Sequence, residues 1–88
     1  MNNYTYNKII KKYGKDAQCD MMIEKCAELI AALNRFKRGR TGLKPVLEEI
    51  ADVQIMIDQM YILFDSFSIN QIKERKIQLM IKRLEEEK

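Results

Sequence analysis

Four acidic residues stand at spacings that could do chemistry. Glu24 and Glu28 are four apart, and Glu49 and Asp52 are three apart; residues at either spacing share one face of a helix. Each pair could converge on one ion. Two such helices side by side would present four carboxylates, the oxygen chemistry that suits magnesium. The chain has no His, and its two cysteines, Cys19 and Cys26, are seven residues apart. On one helix that spacing is a rise of about 10.5 Å, beyond the roughly 7 Å between Cα atoms that a disulfide tolerates. The cysteines therefore read as small apolar residues of a reducing compartment, and the composition argues against zinc. Any metal would be held by oxygen, which means magnesium, manganese or calcium.

The same acids have a structural explanation. Glu49 and Asp52 share a helical face with Met56, Met60 and Leu63, whereas Gln54, Asp58 and Asp65 point the other way. Acids on an apolar face are costly unless they are paired or bind metal. By pattern alone a salt bridge, or a place on the rim of a bundle, outweighs an ion site for this pair. Glu28 lies off the main apolar stripe of its helix, where a solvated acid is the default for it and for Glu24. Small neighbours, Ala27, Ala31 and Ala32, would let another helix approach closely.

Charge is segregated. Net charge is +3. Residues 1–15 carry four Lys and no acid, and residues 35–44 carry Arg35, Lys37, Arg38, Arg40 and Lys44 with no acid, while residues 45–67 carry five acids and no base. Solvation and helix-dipole complementarity explain much of this. A metal-bound polyphosphate needs the same pairing, carboxylates for the cation and bases for the phosphates. Nucleic acid is the usual partner of a basic patch, but aromatics are not interleaved here, apart from Phe36, and no nucleic-acid motif is present.

These side chains must be positioned by helices. With three Gly and one Pro in 88 residues, the composition favours long uninterrupted helices, and the length specifies one domain, residues 1–88. Tyr6, Ile9, Ile10 and Tyr13 predict a first helix over about Tyr4 to Tyr13, ended by Gly14. A second is predicted from near Asp16, as its N-cap, to about Lys37. Its apolar stripe is Cys19, Met22, Cys26, Leu29, Leu33 and Phe36, widened by Ile23 and Ile30. Residues Gly39 to Gly42 connect it to a third helix, from near Pro45 to near Phe67. Glu48 and Glu49 are expected in that helix's first turns, where the dipole favours acids. A capping box at Ser68, Ile69, Asn70 and Gln71 predicts the fourth helix, with Ile72, Ile77, Met80, Ile81 and Leu84 on its apolar side. The fold class expected is all-α, an antiparallel bundle of about four helices. The third helix is apolar on too many sides for so short a chain to cover, because a chain this long buries only about 60–65% of its unfolded surface. Homo-oligomerisation would complete the bundle. The run Ile50 to Phe67 is interrupted by acids and glutamines, which argues against a membrane span, and Met1 to Tyr13 has no apolar signal core. A cytoplasmic protein is the expectation.

Two stretches together carry a resemblance: Ile23-Glu24-Lys25-Cys26-Ala27-Glu28-Leu29 and Glu48-Glu49-Ile50-Ala51-Asp52-Val53. They resemble the paired signature of the MazG-like all-α nucleoside triphosphate pyrophosphohydrolases: two adjacent Glu, two spacers, Glu-Leu, then a gap, then Glu, two spacers and Asp. The whole chain is similar to the short single-domain members, many from bacteria and phages. The resemblance implies hydrolysis of the α–β phosphoanhydride of a (deoxy)nucleoside triphosphate to monophosphate and pyrophosphate. Magnesium, or manganese, would be held by Glu28, Glu49 and Asp52, with Lys76 as a phosphate contact. It also implies assembly as a homodimer or homotetramer. The departure is Lys25, which stands where the family places the second of its adjacent Glu, a metal ligand. Glu24 remains as the acid that could swing in to complete the set. Two other functions compete with an impaired hydrolase: a non-catalytic nucleotide-binding or interaction module of the same fold, and a helical assembly protein unrelated to nucleotides.

Overall fold

The computed structural model describes residues 3–87, and all of the secondary structure there is helical. Four helices follow one another: α1 (Asn3–Tyr13), α2 (Lys15–Lys37), α3 (Lys44–Leu63) and α4 (Ser66–Glu86).

The junctions explain where each helix begins and ends. A single residue, Gly14, separates α1 from α2, at φ 90° and ψ 162°. Its N–H donates to Ile10 O at 2.8 Å and its carbonyl accepts from Gln18 N at 3.2 Å. Glycine is the one residue that takes this backbone state without strain, so it is Gly14, and not Asp16, that stands at the N-cap; Asp16 falls inside the first turn. The end of α2 is a Schellman motif. Gly39 sits at φ 70°, Gly39 N donates to Phe36 O at 3.0 Å, and Arg40 N donates to Arg35 O at 2.9 Å.

Pro45 lies in the first turn of α3 as expected, but that turn, Lys44 to Leu47, holds no acid. Glu48 and Glu49 come one turn later, where the dipole's effect has largely faded. The helix also stops earlier than predicted. Phe64 turns to extended backbone, and Asp65 caps α4 in place of the expected box at Ser68. Asp65 Oδ1 accepts from Ser68 N at 3.2 Å and its Oδ2 from Ser68 Oγ at 2.6 Å. A carboxylate takes both donors and also meets the positive end of the dipole, which a serine hydroxyl cannot match.

These bonds to Ser68 hold the Asp65 carboxyl below its usual range. A depressed pKa means that the unfolded chain binds the proton more readily. The stability it confers is therefore present above the ordinary Asp pKa and lost as pH falls through the folded value. Asp65→Ala should lower the thermal midpoint at pH 7 and lose that deficit on acidification, whereas Asp65→Asn, an equally good cap, should stay close to the parent at pH 7. Equal midpoints for parent and Asp65→Ala at pH 7 would rule the cap out as a source of stability.

The core lies between α2 and α3, with α1 laid against both. Gln18 donates to Gln59 across this interface at 2.7 Å, and Lys25 reaches Asp52 across it. Gln18 and Lys25 are seven residues apart on α2, and Asp52 and Gln59 seven apart on α3, so the two helices run antiparallel in one register. Ala32, Val46, Val53, Met56 and Tyr6 are the buried apolar residues, Ala32 at 0% exposure. With no side chain beyond Cβ, Ala32 lets the helices close together. The glutamine pair is buried too, and its hydrogen bond pairs the Gln18 amide donor with the Gln59 carbonyl across the interface, as buried polar groups require.

Several expected apolar positions face outward. Ile23 and Ile30, predicted to widen the α2 stripe, are 66% and 61% exposed. The fourth helix departs furthest. It touches α3 alone, and every described residue from Asn70 onward is exposed, including Ile72, Ile77, Met80, Ile81 and Leu84. The radius of gyration is 16.3 Å, against about 12 Å for a compact chain of this length. The architecture is an all-α hairpin of α2 and α3 flanked by α1, with α4 standing away. No helix among the described residues is long and apolar enough to cross a membrane.

A candidate acidic site between the second and third helices

Register brings three of the four candidate acids to one place. Glu28 projects from α2, about three turns after Gln18 and one turn after Lys25, and Glu49 and Asp52 project from the facing stretch of α3. Lys25 lies among them. Its Nζ is 3.4 Å from Glu28 Oε1 and 3.8 Å from Asp52 Oδ2. All four side chains are half-buried.

Their charges are coupled. The Lys25 ammonium has its pKa raised above the ordinary lysine value, chiefly by Glu28, against some desolvation, with smaller help from Asp52 and Glu24. The Glu49 carboxyl is pushed up, first by desolvation, then by the charges of Glu28 and Asp52, while Lys25 pulls the other way. Hydrogen bonding to Asp52 further favours the protonated form of Glu49. With three carboxylates and one ammonium, the cluster keeps an excess of negative charge.

Glu28 Oε1 is enclosed and accepts no hydrogen bond. The ammonium at 3.4 Å pairs with it by charge, without the alignment of a well-formed hydrogen bond. A carboxylate oxygen held by this charge pair alone, beside two further carboxylates, suits a hard divalent cation in donor chemistry. The arrangement is not a finished coordination shell: among the described residues no three Asp, Glu, Cys or His are gathered as an ion would hold them. Glu24 is exposed and meets the cluster only through its weak influence on Lys25.

Lys76 is not brought to the site within one chain. It sits on exposed α4, which joins the hairpin at the far end of α3 from Glu49 and Asp52. Both cysteines are half-buried and free. The basic residues are better placed. Arg35 follows Glu28 by seven residues and Lys44 precedes Glu49 by five, about 10 Å and 7.5 Å along their helices. The turn joining α2 to α3 therefore closes the hairpin with exposed bases next to the acids. A separate cleft of ≈ 690 Å³, lined in part by Gln54, Asp58, Tyr61, Asn70 and Lys73, opens between α3 and α4 and includes none of the candidate acids.

Pattern analysis missed two features that organise this site: the Gln18–Gln59 pair and the reach of Lys25 across to Asp52. The matching seven-residue intervals on the two helices were the available signal, but they have meaning only once the antiparallel register is known. No family model, curated protein or solved structure matches the chain.

Proposed function

We propose that the chain is a metal-dependent nucleotide pyrophosphohydrolase that cleaves (deoxy)nucleoside triphosphates to monophosphate and pyrophosphate. The observation that supports this most is the convergence of Glu28, Glu49 and Asp52 from two helices, beside a turn rich in Arg and Lys. Magnesium or manganese, when bound, would neutralise phosphate charge and make the attacking water more acidic. Glu28, Glu49 and Asp52 would hold the ion, and their remaining oxygens would orient that water. Arg35, Arg38, Arg40 and Lys44, exposed around that turn, would meet the outer phosphates. Lys76 would reach a phosphate only from a second copy of the chain. The test is pyrophosphate release from a panel of nucleoside triphosphates with magnesium. No release above background from any of them would refute the reading.

One observation favours a second reading, a non-catalytic nucleotide-binding or interaction module of the same fold: the Lys25 ammonium between Glu28 and Asp52 stands against a divalent ion. Nucleotide binding without turnover would select it.

Self-association belongs to the proposal. Among the described residues no large side chain is fully enclosed, and α4 exposes Ile72, Ile77, Met80, Ile81 and Leu84 along one chain. A second copy of the same helices would cover this surface, giving a homodimer or homotetramer. Light scattering at micromolar concentration should therefore report at least a dimer, and a stable monomer would sink the idea.

A further inference from the structure

Lys25 forms the two ion pairs found among the described residues, and both end on acids of the candidate site. One partner, Glu28, is on its own helix; the other, Asp52, is on the facing helix. The ammonium thus joins α2 to α3, which is also what a cation shared by those carboxylates would do. Lysine suits this part because its charge is compact and rides on a flexible stem, so it can leave as well as stay. Without it, Glu28, Glu49 and Asp52 would face one another uncompensated, and like charges at such range repel strongly.

We propose that Lys25 is the resident cation of this site, and that a divalent ion binds there only by displacing the ammonium from Glu28 and Asp52. This rests on the hydrolase reading only in taking those carboxylates as the place of the ion. The exchange breaks two ammonium–carboxylate pairs and replaces them with carboxylate–metal contacts; no proton or electron changes hands. The displaced ammonium stays tethered to α2, three residues before Glu28. Lys25 thus serves the empty site as its counter-ion and is released to solvent when the site fills. Glu24, exposed and one residue away, is itself an acid and cannot serve as that counter-ion.

The test uses the whole chain and metal alone, without nucleotide. Calorimetric titration with Mg²⁺ and Mn²⁺ is run on the parent, on Lys25→Met and on Lys25→Gln, the last keeping a polar link between the helices should Lys25→Met fold poorly. Removal of the competing charge should tighten metal binding by roughly tenfold or more, and adding Asp52→Asn should reverse the gain. In the parent, saturating Mn²⁺ should raise labelling of Lys25 by an amine-reactive reagent relative to exposed Lys8 and Lys73. Equal affinities in parent and variants, or labelling of Lys25 that metal leaves unchanged, would overturn the role of Lys25 while leaving the carboxylate site standing. Metal binding to none of the proteins would remove the carboxylate site itself, and the proposal with it.

Discussion

Asp52→Asn is expected to abolish metal-dependent pyrophosphate release, with a loss of at least ~10²-fold, since even residues that merely support a metal ligand cost 10–100-fold when changed. Asp52 is the acid through which α3 enters both sets of interactions: it pairs with Lys25 at 3.8 Å and contributes to the raised pKa of Glu49. Asparagine keeps the size and one oxygen but removes the charge that an ion or an ammonium needs. A second readout separates chemistry from folding. Magnesium should raise the thermal midpoint of the parent in proportion to the logarithm of its concentration once binding sets in, and this rise should be missing from Asp52→Asn. Glu24→Gln is the internal comparison, because Glu24 is exposed, and it should retain the metal-linked rise. If Asp52→Asn gains as much from magnesium as the parent does, the ion is held elsewhere. The neighbouring Glu49 supplies a pH signature. Its raised pKa means that the folded chain holds that proton more tightly than the unfolded chain, so its contribution favours folding below the ordinary Glu pKa and is lost as pH rises through the folded value. Relief from the charge of Asp52 should bring that transition back toward ordinary Glu behaviour.

The largest effect on stability is expected from Met56→Ala, at about 2–5 kcal/mol. Met56 is 4% exposed on α3, one turn before Gln59 and its bond to Gln18, and truncation there leaves a cavity that the packed helices close only in part. Domains of this size have a total stability of only about 4–13 kcal/mol, so the variant would lose a large share of it. Denaturant titration at one fixed protein concentration measures this, because the proposed self-association would make the midpoint depend on concentration. A loss below about 1 kcal/mol would show that Met56 is not central to the core. Removing a methionine from the exposed part of α4, as in Met80→Ala, should have no such effect on the chain's own core.

Much of this protein is readable along the chain itself. Four helices, an all-α class, Pro45 in the first turn of α3 and the Gly39 turn follow from local rules, since periodicity, φ preference and missing donors act within a few residues. So does the pairing of acids at three- and four-residue spacing, because a single helix decides which of its residues share a face. What local rules left open were competitions and contacts between elements. Asp65 displaced Ser68 as the cap because two donors converge on a carboxylate, and α3 ended at Leu63 although apolar residues continue beyond it. Ile23 and Ile30 satisfy the helical period of α2 yet point to solvent, because α3 covers only the stripe that carries Gln18, Lys25 and Ala32. Lys25 illustrates the division most sharply. Its type and place between Glu24 and Glu28 are plain in the sequence, but its reach to Asp52 exists only because α2 and α3 pack antiparallel in the register set by Gln18 and Gln59. A helix specifies the direction of its own side chains; which opposing charge lies in that direction is decided by tertiary packing, and with it the electrostatic character of the site.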